Sequence, residues 1–354
     1  MDVLAINKRS VIKGIAGTAA LALSSSFTSR SANAATQITV ADPGGPYGEA
    51  FRKAFYAPFE AQTGVKVINV ARDTEPVAQF KAMVEAKSYI WDVCVLAGPA
   101  RETLGSQGLL APLGFSAADF PELVKGAVTP EWLGTDVYST VSAYRTDHFK
   151  DNQPKNMVDF WDVKNFPGRR GMYKNPVWTL EQALLADGVA PGALYPLDID
   201  RAFRKLDQIK PHVAAWWTSG AESAQLIQSG EVDITQIFNA RAQAIIENGG
   251  PVKINWAQGI YGFEGWAMPK GGPKAEIGSQ FIRFCANAQA QARMTETLAY
   301  GPTNLKSYSE IPAKRAAVLP TFKQNLDVMV ACDETWWLPN RSKTEERFSE
   351  WILS

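Results

Sequence analysis

The alternation of short apolar runs with helix-period segments constrains this chain more than any other feature. Ile38-Thr39-Val40-Ala41 reads as a strand. Phe51, Phe55 and Phe59 then recur at the spacing of one helix face. Pro58 is expected to kink or end that helix, and Gly64 to stop it. Residues 65–70 read as a second strand, Val77, Phe80 and Val84 as a second helix face, and residues 92–96 as a third strand. Strand, helix, strand, helix, strand predicts a parallel sheet covered by helices. The pattern resumes beyond a crossing segment at 134–144. A strand is expected at 171–173, and Thr179-Leu180-Glu181-Gln182 has the form of a capping box opening a helix. Ile199, Phe203 and Leu206 line another helix, and Ser219 caps a third that stops at Gly230. Residues 232–238 read as a strand and 240–248 as a helix. Ile277, Phe281, Phe284 and Ala288 mark one long helix returning to the first half. No internal repeat and no low-complexity linker separates the halves. The expectation is an α/β fold of two lobes that exchange chain at crossing strands.

The first 34 residues read as an export signal rather than as part of that fold. Lys8, Arg9 and Lys13 precede a small-residue apolar run, and Ala32-Asn33-Ala34 is an A-x-A cleavage pattern, which puts the cut before Ala35. Asn7-Lys8-Arg9-Ser10-Val11-Ile12-Lys13 is similar to the twin-arginine motif with lysine at the first arginine, so either export route stays open. The expected location is the periplasm. The whole chain carries 36 basic and 36 acidic residues. Loss of the signal removes four basic residues and one acid, leaving a net charge of about −3. That excludes the basic surplus of a nucleic-acid binder. Cys94, Cys285 and Cys332 have no metal-type spacing; Cys94 reads as a buried thiol, and Cys285 with Cys332 is open as a disulfide.

Open α/β sheets bind ligands beyond the C-terminal ends of their strands. Those positions hold Gly44-Gly45-Pro46-Tyr47, Ala97-Gly98-Pro99, Lys174-Asn175-Pro176-Val177-Trp178, Trp216-Trp217-Thr218 and Asn239-Ala240-Arg241. Any one of these aromatics could be packing; their recurrence at the expected crevice points to a ligand wall. Arg241 opens a helix, where the helix dipole disfavours a cation, so an anionic partner is expected: a ligand group or Glu264. Glu264 stands in Gly259-Ile260-Tyr261-Gly262-Phe263-Glu264-Gly265-Trp266-Ala267-Met268-Pro269, which reads as a bent strand with close backbone approach. A carboxylate among aromatics is costly unless paired, and it suits either an ammonium ligand or an internal arginine. Enzyme motifs are absent: the two histidines have no metal-ligand spacing, and there is no Gly-x-Ser-x-Gly elbow and no phosphate-cradling loop. A secreted hydrolase acting through a carboxylate pair stays open as the second reading.

Pro58-Phe59-Glu60-Ala61-Gln62-Thr63-Gly64-Val65-Lys66-Val67, Trp91-Asp92-Val93, Phe160-Trp161-Asp162, Phe166-Pro167-Gly168, Ser229-Gly230-Glu231-Val232, Gly265-Trp266-Ala267-Met268-Pro269 and Gly301-Pro302-Thr303-Asn304 follow one another in an order and spacing that together are specific. The chain in this respect resembles the periplasmic substrate-binding proteins of ABC importers, in the spermidine/putrescine-type group. The resemblance implies the two-lobed type II periplasmic binding protein fold, each lobe a mainly parallel sheet flanked by helices. Lobe 1 is expected over 35–143 with 266–305, lobe 2 over 144–265, and a helical segment at 306–354 packing on both. It implies a monomer that binds a small solute between the lobes, hands it to membrane permease subunits, performs no catalysis and needs no cofactor or metal. It places ligand contacts at Tyr47, Tyr138, Asn175, Trp178, Phe238, Glu264 and Tyr300, to which the strand-end positions add Trp217, Asn239 and Arg241. Two further acids of the polyamine binders fall at Asn175 and Trp178, and Gly98-Pro99-Ala100 replaces their loop tyrosines. One acid, an aromatic wall and Arg241 fit a compact amine-bearing ligand: an ω-amino acid, an opine-like compound or an aminophosphonate, with putrescine also open. An iron binder on this fold would want a tyrosine pair that the sequence lacks.

Overall fold

In a computed structural model that describes residues 36–72 and 76–354, eleven strands among those residues join one sheet. They are β1 (Gln37–Asp42), β2 (Lys66–Ala71), β3 (Val93–Ala97), β4 (Val128–Thr129), β5 (Trp132–Arg145), β6 (Arg170–Tyr173), β7 (Val213–Trp217), β8 (Ile234–Phe238), β9 (Val252–Ala267), β10 (Gly301–Pro302) and β11 (Val330–Ala331). The main path runs β2-β1-β3-β9-β5-β8-β6-β7. Each end is a parallel triplet, as strand–helix alternation predicts. The middle is the antiparallel pair β5 and β9, of 14 and 16 residues, which is long enough to serve both triplets. The expected crossing segment is therefore real and longer than its apolar pattern showed. The expected export signal lies outside the described residues, and among those residues no helix is long and apolar enough to cross a membrane.

Two main apolar clusters flank the central pair. One gathers Phe51, Phe55, Phe59, Trp266 and Phe281, with the Phe281 ring 5.2 Å from Trp266 and edge-on to it. The other gathers Phe160, Met172, Leu184, Phe203 and Phe348. Each such side chain contributes roughly 1.5–3 kcal/mol on burial. The C-terminal helix Glu334–Leu353 packs against helix Gly98–Ser106 and helix Pro176–Ala186, and so touches elements of both ends of the sheet.

Four local expectations are resolved by the structure. Pro58 does not end its helix. The turn over Arg52–Tyr56 widens to π geometry, the Ala57 N–H reaches the Arg52 carbonyl, and the chain continues to a left-handed Gly64. Thr179-Leu180-Glu181-Gln182 forms no capping box. Asn175 caps instead, accepting from Val177 N at 2.9 Å, while the Thr179 hydroxyl donates to the Tyr173 carbonyl. The expected long helix after Ile277 is two, Ala275–Cys285 and Ala288–Thr295, because Asn287 caps the second. All three cysteines are free, Cys285 in the first core and Cys332 beside Tyr195. The bend and close approach expected around Gly259–Pro269 are present. Gln258 has φ 64°, and a Cβ on Gly265 would stand 2.1 Å from the Leu133 carbonyl oxygen.

Candidate functional site

The crossing strands bring two acids together. Asp136 on β5 is registered directly opposite Glu264 on β9, so both side chains leave the same face of the sheet. Ala97 at the end of β3 flanks Glu264 on its other side. Asp136 is fully buried; its Oδ2 accepts from the Tyr47 hydroxyl at 3.0 Å, and its Oδ1 has no partner among the described residues. Burial and then the neighbouring Glu264 charge hold the Asp136 carboxyl well above the usual range, against the Tyr47 hydrogen bond. Glu264 is half-buried. Burial raises its carboxyl too, opposed by the Arg72 guanidinium and by Tyr47. Arg72 donates through Nε to the Val95 carbonyl at 3.0 Å.

Glu264 faces a cavity of about 600 Å³. Helix Pro176–Ala186 contributes Val177 and Trp178 to the lining, and its first turn is not helical: Trp178 sits at φ 72°, ψ −34°. A bulky residue in the left-handed region costs on the order of 1–3 kcal/mol and persists where surrounding packing imposes it. Here the packing is aromatic. The Trp178 ring stands edge-on to Tyr138 at 5.5 Å and to Phe238 at 5.6 Å, and tilted to Tyr173 at 6.1 Å. Its Nε1 is buried with no partner among the described residues.

Arg241 lies in the first turn of helix Asn239–Glu247 and is exposed to solvent at the edge of the cavity. It makes no ion pair with Glu264: among the described residues no carboxylate lies within 4.0 Å of its guanidinium. Gly220 makes room for it, since a Cβ there would stand 2.9 Å from the Phe238 ring and 3.4 Å from Arg241. Tyr300 lies between the two charge types. Burial, Glu264 and Asp136 raise its hydroxyl, and Arg241 lowers it.

Of the residues expected from sequence, Tyr138, Asn175, Trp178, Phe238, Arg241, Glu264 and Tyr300 line this one cavity. Tyr47, Trp217 and Asn239 stand behind the wall. Tyr47 holds Asp136, and its ring lies 6.2 Å from that of Tyr300. Trp217 is fully buried and stacks on Tyr173 at 4.4 Å. Asn239 accepts from Ser139 N at 3.0 Å and donates to the Ala299 carbonyl at 2.7 Å, which anchors the segment carrying Tyr300. Sequence reading missed Asp136, Tyr173, Arg72 and the far end of the cavity, where Arg341 pairs with Glu334 at 3.1 Å and Glu345 at 3.6 Å. Nothing in the local sequence marks any of these residues. Among the described residues, no three of His, Cys, Asp and Glu group as metal ligands would.

Similarity to known proteins agrees with this architecture. The chain is 34% identical over 322 residues to the gamma-aminobutyric acid-binding protein of Pseudomonas aeruginosa, spanning 89% of this chain and 90% of that one. An ABC transporter substrate-binding protein from Bradyrhizobium japonicum USDA 110 superposes with a TM-score of 0.82 at 35% identity, covering 89% of this chain and 99% of its own. The binding protein AgtB from A. tumefaciens R10, solved with agropinic acid, superposes at 0.72 with 30% identity over 90% of this chain and 99% of its own. Residues 54–321 match the family described as bacterial extracellular solute-binding protein, and the chain belongs to that family.

Proposed function

We propose that this protein captures a compact solute bearing one ammonium and one anionic group, of the ω-amino acid type, and delivers it to the permease of an ABC importer. The observation that carries the reading is the placement of charge around one cavity. Glu264, Arg241, which has no ion-pair partner among the described residues, and the aromatic side chains of Tyr138, Trp178 and Phe238 all line it. A carboxylate with aromatic faces recognises an ammonium, and a guanidinium recognises a carboxylate or phosphonate. A relative that binds gamma-aminobutyric acid supports that ligand class. The lobes are taken as 35–143 with 266–305 and 144–265, with 306–354 packed on both; residues 1–34 are taken as the export signal, and the mature chain acts as a periplasmic monomer without catalysis. The ten residues named from sequence form the site, seven in contact with solute and Tyr47, Trp217 and Asn239 as its support.

The test is calorimetry and thermal shift on residues 35–354 with γ-aminobutyrate, agropinate, an aminophosphonate, putrescine and spermidine. A zwitterion is expected to bind more tightly than either polyamine and to raise Tm without being consumed. Spermidine binding in the absence of zwitterion binding, or turnover of any of these compounds, would overturn the reading.

A further inference from the structure

We infer that Asp136 and Glu264 act as one carboxylate pair that shares a proton until an ammonium group binds, and that solute capture expels that proton. The inference rests on the proposed ammonium contact at Glu264 and extends it to a residue that touches no solute. Direct cross-strand register puts the two Cβ atoms about 5 Å apart, a spacing at which like charges destabilise a sheet. Asp136 is fully buried and one of its carboxylate oxygens has no hydrogen-bond partner among the described residues. A buried carboxylate in that position is costly when charged.

Among the described residues, the groups facing the pair come from several elements. Tyr47 from helix Gly45–Phe51 supplies a single hydroxyl proton, which goes to Asp136 Oδ2. That hydroxyl can donate to only one acid, but it can accept from a protonated neighbour. Arg72, following β2, is the cation that opposes the Glu264 charge, and among the described residues no cation does so for Asp136. Tyr300 and Tyr138 are neutral, and both feel the pair as negative. Glu334 on the C-terminal helix adds a further acid near Tyr138. Arg241 acts on Tyr300. Among the described residues, two carboxylates therefore have one guanidinium nearby. One proton on the pair balances this charge, and an arriving ammonium can take its place. The exchange conserves charge: one cation enters and one proton leaves to the buffer. Both titration steps belong to the pair rather than to either residue.

The experiment is calorimetry of γ-aminobutyrate binding to residues 35–354 at fixed pH in phosphate and in Tris, repeated from pH 5 to 8. γ-Aminobutyrate itself changes charge little between about pH 6 and 8. The two buffers differ in ionisation heat, so release of a proton separates the apparent enthalpies. Affinity is expected to rise with pH, approaching tenfold per unit on the acid side, and then to level off. Asp136→Asn is expected to bind more weakly than wild type at pH 8, where the wild-type pair has lost its proton, to lose the buffer difference and to flatten the profile over the upper half of that range. Equal heats in both buffers with flat affinity in the wild-type protein would overturn the inference while leaving the binding reading intact. Failure of γ-aminobutyrate, putrescine and agropinate all to bind would overturn both. The two-buffer comparison needs no variant, so a poorly folding Asp136→Asn does not decide the outcome.

Discussion

Replacing Glu264 by Gln separates a ligand contact from a structural ion pair. The substitution keeps shape and removes one charge. If the side chain meets a ligand ammonium in a partly desolvated cavity, removal of the charge costs about 3 kcal/mol, on the order of 100-fold in Kd. The effect on stability has the opposite character. Burial raises the Glu264 carboxyl above its unfolded value. A carboxyl raised in the fold is penalised once the unfolded chain ionises, so near neutral pH it weakens the fold and its loss should not harm it. Arg72 keeps its bond to the Val95 carbonyl, which limits the damage on the other side. The expected Tm change is within about 2 °C of wild type, at roughly 2 °C per kcal/mol for a chain of this size. An internal salt bridge predicts the reverse: about 3–5 kcal/mol of lost stability with little change in binding. The assay is calorimetry with γ-aminobutyrate and putrescine beside thermal denaturation. A Kd within threefold of wild type for both compounds, or a Tm lowered by about 6 °C or more, would refute the reasoning.

Arg241→Met should weaken γ-aminobutyrate by about tenfold, the low end for a charge-assisted hydrogen bond at an exposed edge, and leave putrescine within about threefold; calorimetry with both compounds reads the difference, and equal losses would remove Arg241 from anion recognition. Glu181 lies beneath the C-terminal helix, where it accepts from the Tyr195 hydroxyl at 2.7 Å and Trp337 Nε1 at 2.6 Å, and burial pushes its carboxyl up to about 7. Because the unfolded chain ionises this group near pH 4.3 while the fold retains the proton to about 7, stability should fall across that window, by at most roughly 4 kcal/mol, and then level off. Glu181→Gln should flatten the Tm profile between pH 5 and 7; an unchanged profile would show that other groups set it.

Much of the fold was legible because its signals are local. Ser219 accepts from Glu222 N at 3.2 Å and opens its helix where the sequence placed it, and Gly230 closes that helix in the left-handed conformation. The strand–helix alternation likewise needs only periodicity. Thr179-Leu180-Glu181-Gln182 misled for a tertiary reason. Gln182, the residue the box would need, is drawn away to the Thr140 carbonyl and to Gln236, so it is not free to cap. Pro58 was expected to kink or end its helix, and the chain passes it by way of a widened turn over Arg52–Tyr56 without ending.

The site shows the same limit more sharply. Glu264 was visible as a charge among aromatics, but its opposite number was not, because their pairing depends on register. β5 and β9 match Gly134 with Gly265 and then Asp136 with Glu264, so Thr135 is the extra residue of an irregularity. Without that slip the face presented by Asp136 would be reversed, since one residue of register moves every side chain to the other side of a strand. The close approach of Gly265 to the Leu133 carbonyl stands beside this irregularity, so the glycine that read as a weakness of the strand belongs to the feature that brings the acids together. A substitution at Gly265 should therefore act on the site through Asp136 as well as on the sheet. In one sequence, that connection is carried by three separate residues, Thr135, Asp136 and Gly265, none of which alone looks like part of a binding site.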